Sequence, residues 1–244
     1  MLADRLVAHR GYRARYPENT LAAVRAALAA GARYLEVDVQ LTADRVPVLL
    51  HDADLARVAG RPDSIFDLPA AVAEELSVHE PGRLGEAFRG ERLPRLAALA
   101  ALLAQWPEVT AFVEVKEESL ERFGTEPVLA AVLAALAPLS AQAVPISFSA
   151  AFAARVRAAG WPRVGVVLRR PPEPGDPALA GCEFAFVDQR RLPGAGPLPR
   201  LGPRLVVYEV GCARRARRLF DRGADLVETF DIGALRAALA QGAP

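Results

Sequence analysis

A chain of 244 residues that is 52% hydrophobic is long and apolar enough to bury the core of one large α/β domain. Its formal net charge of +1 argues against a broad nucleic-acid or anionic-membrane surface and leaves room only for a local basic pocket. Cys182 and Cys212 lack metal-type spacing and read as ordinary reduced thiols of a cytoplasmic protein.

Leu6-Val7-Ala8 forms a short apolar strand ending on His9-Arg10-Gly11. With a strand starting this early, no signal peptide is expected. No apolar run reaches transmembrane length, so no stable membrane association is expected. Tyr16-Pro17-Glu18-Asn19-Thr20 opens a helix, with Asn19 or Thr20 as its N-cap and Gly31 as its C-cap. The next strand carries Glu36 and Asp38, two residues apart and therefore on one face. The turn at Ala43-Asp44-Arg45 is too short for a parallel crossover, so Val46 to Leu50 returns as an antiparallel hairpin. Folded this way, His51 comes roughly opposite Asp38.

From Asp52 to about Pro94 the pattern turns irregular, with Gly60, Pro62, Pro69, Pro81, Gly82, Gly85 and Gly90 inside it and a short helix from Ala70 to Leu76. This stretch is too long for an ordinary connection, and residues 53–93 are expected to form a small insertion beside the site. His79-Glu80 within it reads as a solvated loop.

A regular alternation follows. Helical patterns at Leu96 to Trp106, Val128 to Leu136 and Ala150 to Ala159 separate the strands Ala111 to Lys116, Val144 to Phe148 and Val164 to Leu168. After a Pro-rich loop, Pro171 to Pro177, come the strands Phe184 to Asp188, Leu205 to Val210 and Leu226 to Phe230. The Arg-rich helix Ala213 to Arg222 reads as a solvated outer face, and a last helix covers Ile232 to Ala240. Continuous apolar runs are the mark of buried parallel strands. Eight of them, alternating with helices, predict an α/β fold of the (β/α)8 TIM-barrel type, with a hairpin extension after the second strand. The whole chain, 1–244, is expected to be a single domain whose site lies at the strands' C-terminal ends.

At those ends stand His9 and Arg10, Glu36 and Asp38, Glu114 and Lys116, with His51 returning on the hairpin. Three converging carboxylates need a cation, and oxygen-only ligation favours Mg²⁺ or Ca²⁺. Arg10 and Lys116 add fixed positive charge for an anionic phosphate. Lys116 is the only lysine among 30 basic residues, which marks a position where a compact ammonium is preferred to a planar guanidinium. Two imidazoles suit general acid–base work. Together these groups fit phosphodiester cleavage.

The segments His9-Arg10-Gly11, Pro17-Glu18-Asn19-Thr20, Glu36 to Thr42, Pro47 to Asp52 and Glu114-Val115-Lys116 resemble the glycerophosphodiester phosphodiesterases, in order and spacing. Ile146-Ser147-Phe148 and Gly223-Ala224-Asp225 extend the resemblance more weakly toward the C-terminus. It implies a TIM barrel in which His9 and His51 are the acid–base pair, Glu36, Asp38 and Glu114 hold one divalent cation, and Arg10 and Lys116 contact phosphate. The implied reaction is hydrolysis of a small glycerophosphodiester to sn-glycerol 3-phosphate and an alcohol, by internal attack of a glycerol hydroxyl or by direct attack of water. Two departures touch substrate choice. Tyr208-Glu209-Val210-Gly211 replaces a Trp-Thr-Val-Asn run, placing Tyr208 where tryptophan walls the substrate. Thr229-Phe230 replaces a Thr-Asp pair, and whether Glu228 supplies the missing carboxylate is open. The alternatives are a related enzyme acting on lysophospholipids or sphingolipids, and a non-catalytic phosphodiester-binding module. No nucleic-acid partner is expected, and a homo-oligomer is left open.

Overall fold

The computed structural model describes residues 1–241. Among these residues there are nine strands: β1 (Leu6–His9), β2 (Tyr34–Leu41), β3 (Pro47–Leu49), β4 (Thr110–Val115), β5 (Ala143–Ile146), β6 (Gly165–Leu168), β7 (Phe184–Asp188), β8 (Arg204–Tyr208) and β9 (Leu226–Thr229). All but β3 are parallel and run in the order β5-β4-β2-β1-β9-β8-β7-β6. The two ends of that order meet where the Val167 N–H donates to the Ser147 carbonyl at 2.9 Å, giving a near-closed barrel. β3 lies antiparallel on β2, outside the ring.

Period-two alternation decides what fills the barrel. Val7 (β1), Phe112 (β4), Val144 and Ile146 (β5), Phe184 and Phe186 (β7), and Leu226 (β9) pack together in its interior. Phe112 meets Phe184 and Phe186 edge-on, with centroids 4.8 and 4.9 Å apart. Two residues further along the same inward faces stand His9, Glu114, Asp188 and Glu228. The lower barrel is therefore an apolar plug, and the polar groups crowd at its C-terminal mouth. A separate, larger cluster on the outward faces packs against the helices Leu21–Ala29, Leu96–Leu103, Thr125–Leu136, Ala150–Ala158, Ala213–Arg222 and Ile232–Ala240. Thr20 caps the first of these, its hydroxyl accepting from the Ala23 N–H. The connection before β7 holds only the 3₁₀ turn Pro177–Leu179, as its prolines predict. A helix at Glu117–Phe123, directly after Lys116, was not legible in the sequence.

Two expectations need correction. In the hairpin Val39 pairs with Leu49, and the Leu50 N–H donates to the Asp38 carbonyl at 3.0 Å. Leu50, not His51, is thus opposite Asp38, and His51 stands one residue beyond. Nor is His79-Glu80 solvated, for the two residues are 8% and 2% exposed. Glu80 accepts the Glu18 backbone N–H at 2.6 Å and the Arg83 Nε at 2.6 Å, while Arg83 reaches the Arg13 and Tyr16 carbonyls. This tether holds the insertion against the loop after β1. The insertion also has an apolar core of its own, built from Leu55, Val58, Ile65, Ala73 and Val78 under Val48 and Leu50.

Candidate active site

All eight residues singled out in the sequence line one cavity of about 180 Å³ at the barrel mouth. The turn after β1 aims the first pair. Arg10 adopts φ +56° and Gly11 φ +74°, and a Cβ on Gly11 would lie 2.8 Å from Ala23, so only glycine lets the turn press against the following helix. The Arg10 backbone N–H donates to Glu36 Oε2 at 3.0 Å, and its guanidinium spans Glu18 (2.9 Å) and Asp38 (3.1 Å). Lys116, beyond the end of β4, places Nζ 2.7 Å from Glu114 and 3.3 Å from Asp38.

Asp38 is 1% exposed and held from several sides. Asn19, itself at φ +56°, donates to its carboxylate at 2.9 Å and accepts its backbone N–H at 3.0 Å. Burial opposes its ionisation, but Arg10 and Lys116 hold its carboxyl far below the usual carboxylate range. Glu36 goes the other way. Burial, then repulsion from Asp38, Glu228 and Glu114, pushes it well up. Burial also raises Glu114 and Glu228, each against like-charged neighbours. A set of buried carboxylates that resists ionisation in this way is short of positive charge.

The imidazoles differ in setting. His9 is 7% exposed, and its ring lies flat on Phe230 with centroids 4.4 Å apart. Burial, helped by Arg10, lowers its pKa well below the ordinary histidine value. His51 is half-buried, with Nδ1 2.6 Å from Asp52 Oδ1. Arg57 bridges Asp52 and Glu18, at 2.7 and 2.8 Å. The His51 hydrogen bond, against burial and with help from Arg57, brings the Asp52 carboxyl down to about 2.

Oxygens of Glu36, Asp38 and Glu114 come within 4.8 Å of one another, a spacing that one oxygen-ligated ion can span. His9, Glu36 and Glu228 form a second group of the same compactness. Tyr208 stands at the end of β8, with its phenol pushed up by burial. Sequence reading missed Glu18, which anchors Arg10, Arg13 and Arg57, and it missed Asp52 behind His51. Glu228 was left open. Its signal was the alternation from Leu226, which points both side chains into the barrel.

The sequence profile of the glycerophosphoryl diester phosphodiesterase family matches residues 9–159. A "Probable glycerophosphodiester phosphodiesterase 1" of Mycobacterium tuberculosis is 35% identical over 208 residues, which are 80% of this chain and 75% of that protein. The bovine glycerophosphodiester phosphodiesterase 1 is 38% identical over 111 residues, 45% of this chain but only 33% of its own length. The fold matches a phosphodiesterase of Oleispira antarctica, solved in complex with the product sn-glycerol-3-phosphate, with TM-score 0.82 and 24% identity over 97% of this chain and 96% of that one. A second match, to a protein of Silicibacter pomeroyi, has TM-score 0.81 and 25% identity over 98% and 93% of the two chains. With the profile covering more than half of its length and the mycobacterial relative aligned across most of both proteins, this chain belongs to the glycerophosphoryl diester phosphodiesterase family.

Proposed function

We propose that this chain is a metal-dependent phosphodiesterase that cleaves small glycerophosphodiesters to sn-glycerol 3-phosphate and an alcohol. One observation carries the reading: a carboxylate trio, two cations and two imidazoles share a single cavity at the mouth of the barrel. Family membership and the product bound to the Oleispira relative support it. The chain acts as one barrel domain, with the insertion part of its wall.

The donor set fits a hard divalent ion. Glu36, Asp38 and Glu114 offer only oxygen, and Glu36 Oε1 is buried without a hydrogen-bond partner among the described residues. These three residues would hold Mg²⁺ or Ca²⁺, which when bound supplies Lewis-acid stabilisation of charge on the phosphoryl oxygens. Arg10 and Lys116 orient the phosphate and offset the charge that develops on it. His9 and His51 move the protons, one taking it from the attacking hydroxyl and the other giving it to the leaving alkoxide. Tyr208 walls the glycerol or alcohol group. A lipid substrate is less well served. Ile65 is buried inside the insertion, and the exposed large hydrophobics among the described residues, Met1, Val72 and Trp106, do not line the cavity. Among those residues no helix is long and apolar enough to cross a membrane.

The test is release of sn-glycerol 3-phosphate from a panel of glycerophosphodiesters, each run with EDTA, Mg²⁺ and Ca²⁺. Metal-dependent release is expected, with head groups ranked by their fit beside Tyr208. No release from any member by folded, metal-loaded protein overturns the substrate.

A further inference from the structure

Asp188 and Glu228 are buried carboxylates at the mouth that the proposed reaction does not use; Asp188 is paired with Arg190, which leaves Glu228. It leaves β9 on the inward face and is 2% exposed, with Oε2 3.9 Å from His9 Nδ1. Among the described residues neither Glu228 Oε1 nor His9 Nδ1 has a hydrogen-bond partner, although both are buried. On the opposite edge of the ring, Nε2 is 3.7 Å from Glu36 Oε2, but that oxygen already accepts the Arg10 N–H. Two residues past Glu228, Phe230 lies on the His9 ring at an interplanar angle of 12°. Arg13, pinned by Glu18 at 2.5 Å, covers that phenyl ring at 4.4 Å. His9 is therefore held from its face by one residue at the end of β9, and another brings its carboxylate to 3.9 Å from Nδ1, one small side-chain movement short of a hydrogen bond.

His51 offers a parallel, since Asp52 meets its Nδ1 at 2.6 Å. A buried carboxylate beside one ring nitrogen fixes the proton there and leaves the other nitrogen's lone pair free.

We propose that Glu228 and Phe230 are positioning residues for His9: Glu228 takes the Nδ1 proton in a hydrogen bond, and Phe230 fixes the ring plane, so that Nε2 faces the cavity ready to accept a proton. This rests on the phosphodiesterase reading for its kinetic arm only. The tautomer of His9 is measured independently of turnover.

The chain has three histidines, which makes imidazole ¹⁵N resonances of the Mg²⁺-loaded protein assignable with His51→Gln and His79→Gln as references. His9 is expected protonated at Nδ1 and bare at Nε2. The reverse tautomer in the unsubstituted protein overturns the proposal, whatever the variants do. Glu228→Leu is expected to lower kcat roughly a hundredfold, with KM within about twofold, and to mix the two tautomers. Phe230→Leu is expected to lower kcat by about tenfold and leave the tautomer in place. Glu228→Gln keeps an acceptor oxygen in the same shape and is expected to fall between the parent and the leucine variant, so it carries the kinetic arm if Glu228→Leu does not fold. Unchanged kcat and unchanged His9 resonances in folded Glu228→Leu overturn the role of Glu228. Mn²⁺ stoichiometry guards against the rival use of the same group. One ion per chain in parent and Glu228→Leu is expected, whereas two in the parent and one in the variant would make Glu228 a metal ligand instead. Loss of all turnover in the parent, with the Nδ1 tautomer intact, counts against the substrate reading and not against this one.

Discussion

At the scale of single residues, the site depends on charges fixed in narrow places. Lys116 reaches two carboxylates with one small head, at 2.7 and 3.3 Å, and is 8% exposed. A guanidinium is a wide planar fork and cannot take both contacts in that space. Lys116→Arg is expected to cut kcat/KM by on the order of a hundredfold, the scale of losing one electrostatic donor; steady-state kinetics with full activity would show that any cation serves there. Glu18 is the reverse case, an anion ringed by Arg10, Arg13 and Arg57. Burial opposes its charge, but the arginines hold its carboxyl down to about 2, from an ordinary 4.5. A lowered folded-state pKa contributes stability that is complete above the unfolded value and is lost as pH falls through the folded one. Glu18 should thus supply about 3 kcal/mol near neutrality, lost between roughly pH 4.5 and 2. Urea titrations of parent and Glu18→Gln across that range should converge as pH drops; parallel curves would remove the linkage.

At the scale of elements, the difference between what was legible and what was not follows sequence distance. The strands and their inward residues could be read because alternation is local: Glu36 with Asp38, Glu114 with Lys116. The pairing register was off by one because turn geometry, not hydrophobic pattern, sets it. Glu18 and Glu80 were opaque for a different reason. Beside near partners each has one that lies far along the chain, 39 residues for Glu18 with Arg57 and 62 for Glu80 with the Glu18 N–H, and a charged side chain carries no sign that it will be buried. For Glu80 that contact is structural, tying the insertion to the loop that carries His9 and Arg10. Removing it leaves the Glu18 N–H without its acceptor and takes the carboxylate from Arg83, which keeps the Arg13 and Tyr16 carbonyls, at a cost of about 1–3 kcal/mol. In Glu80→Ala, hydrogen exchange should accelerate across residues 53–93 and in the Arg13 to Glu18 loop, while the barrel strands keep their protection. Uniform protection in the insertion would mean that its own apolar core suffices to hold it.

At the scale of the whole molecule, near-neutral net charge hides a local imbalance. The described residues place Glu36, Asp38, Glu114 and Glu228 around one cavity against the cations Arg10 and Lys116, with Asp188 and Arg190 paired beside them. With those four carboxylates ionised against Arg10 and Lys116, the excess is two negative charges, and the upward push on Glu36, Glu114 and Glu228 is the protein's response without an ion. One divalent cation cancels the excess. Binding to the folded state alone then stabilises the chain by mass action, about 2.7 kcal/mol at a hundred times Kd. For a domain of this size that raises Tm by roughly 5–10 °C. Thermal unfolding followed with EDTA, Mg²⁺ and Ca²⁺ should show the rise and rank the two ions. In Glu36→Gln with Asp38→Asn two of the four charges and two of the three proposed ligands are gone, so the chain should unfold at the same temperature with or without metal. A full metal-dependent shift in that double variant would place the ion elsewhere, and the carboxylates at the mouth would then owe their burial to Arg10 and Lys116 alone.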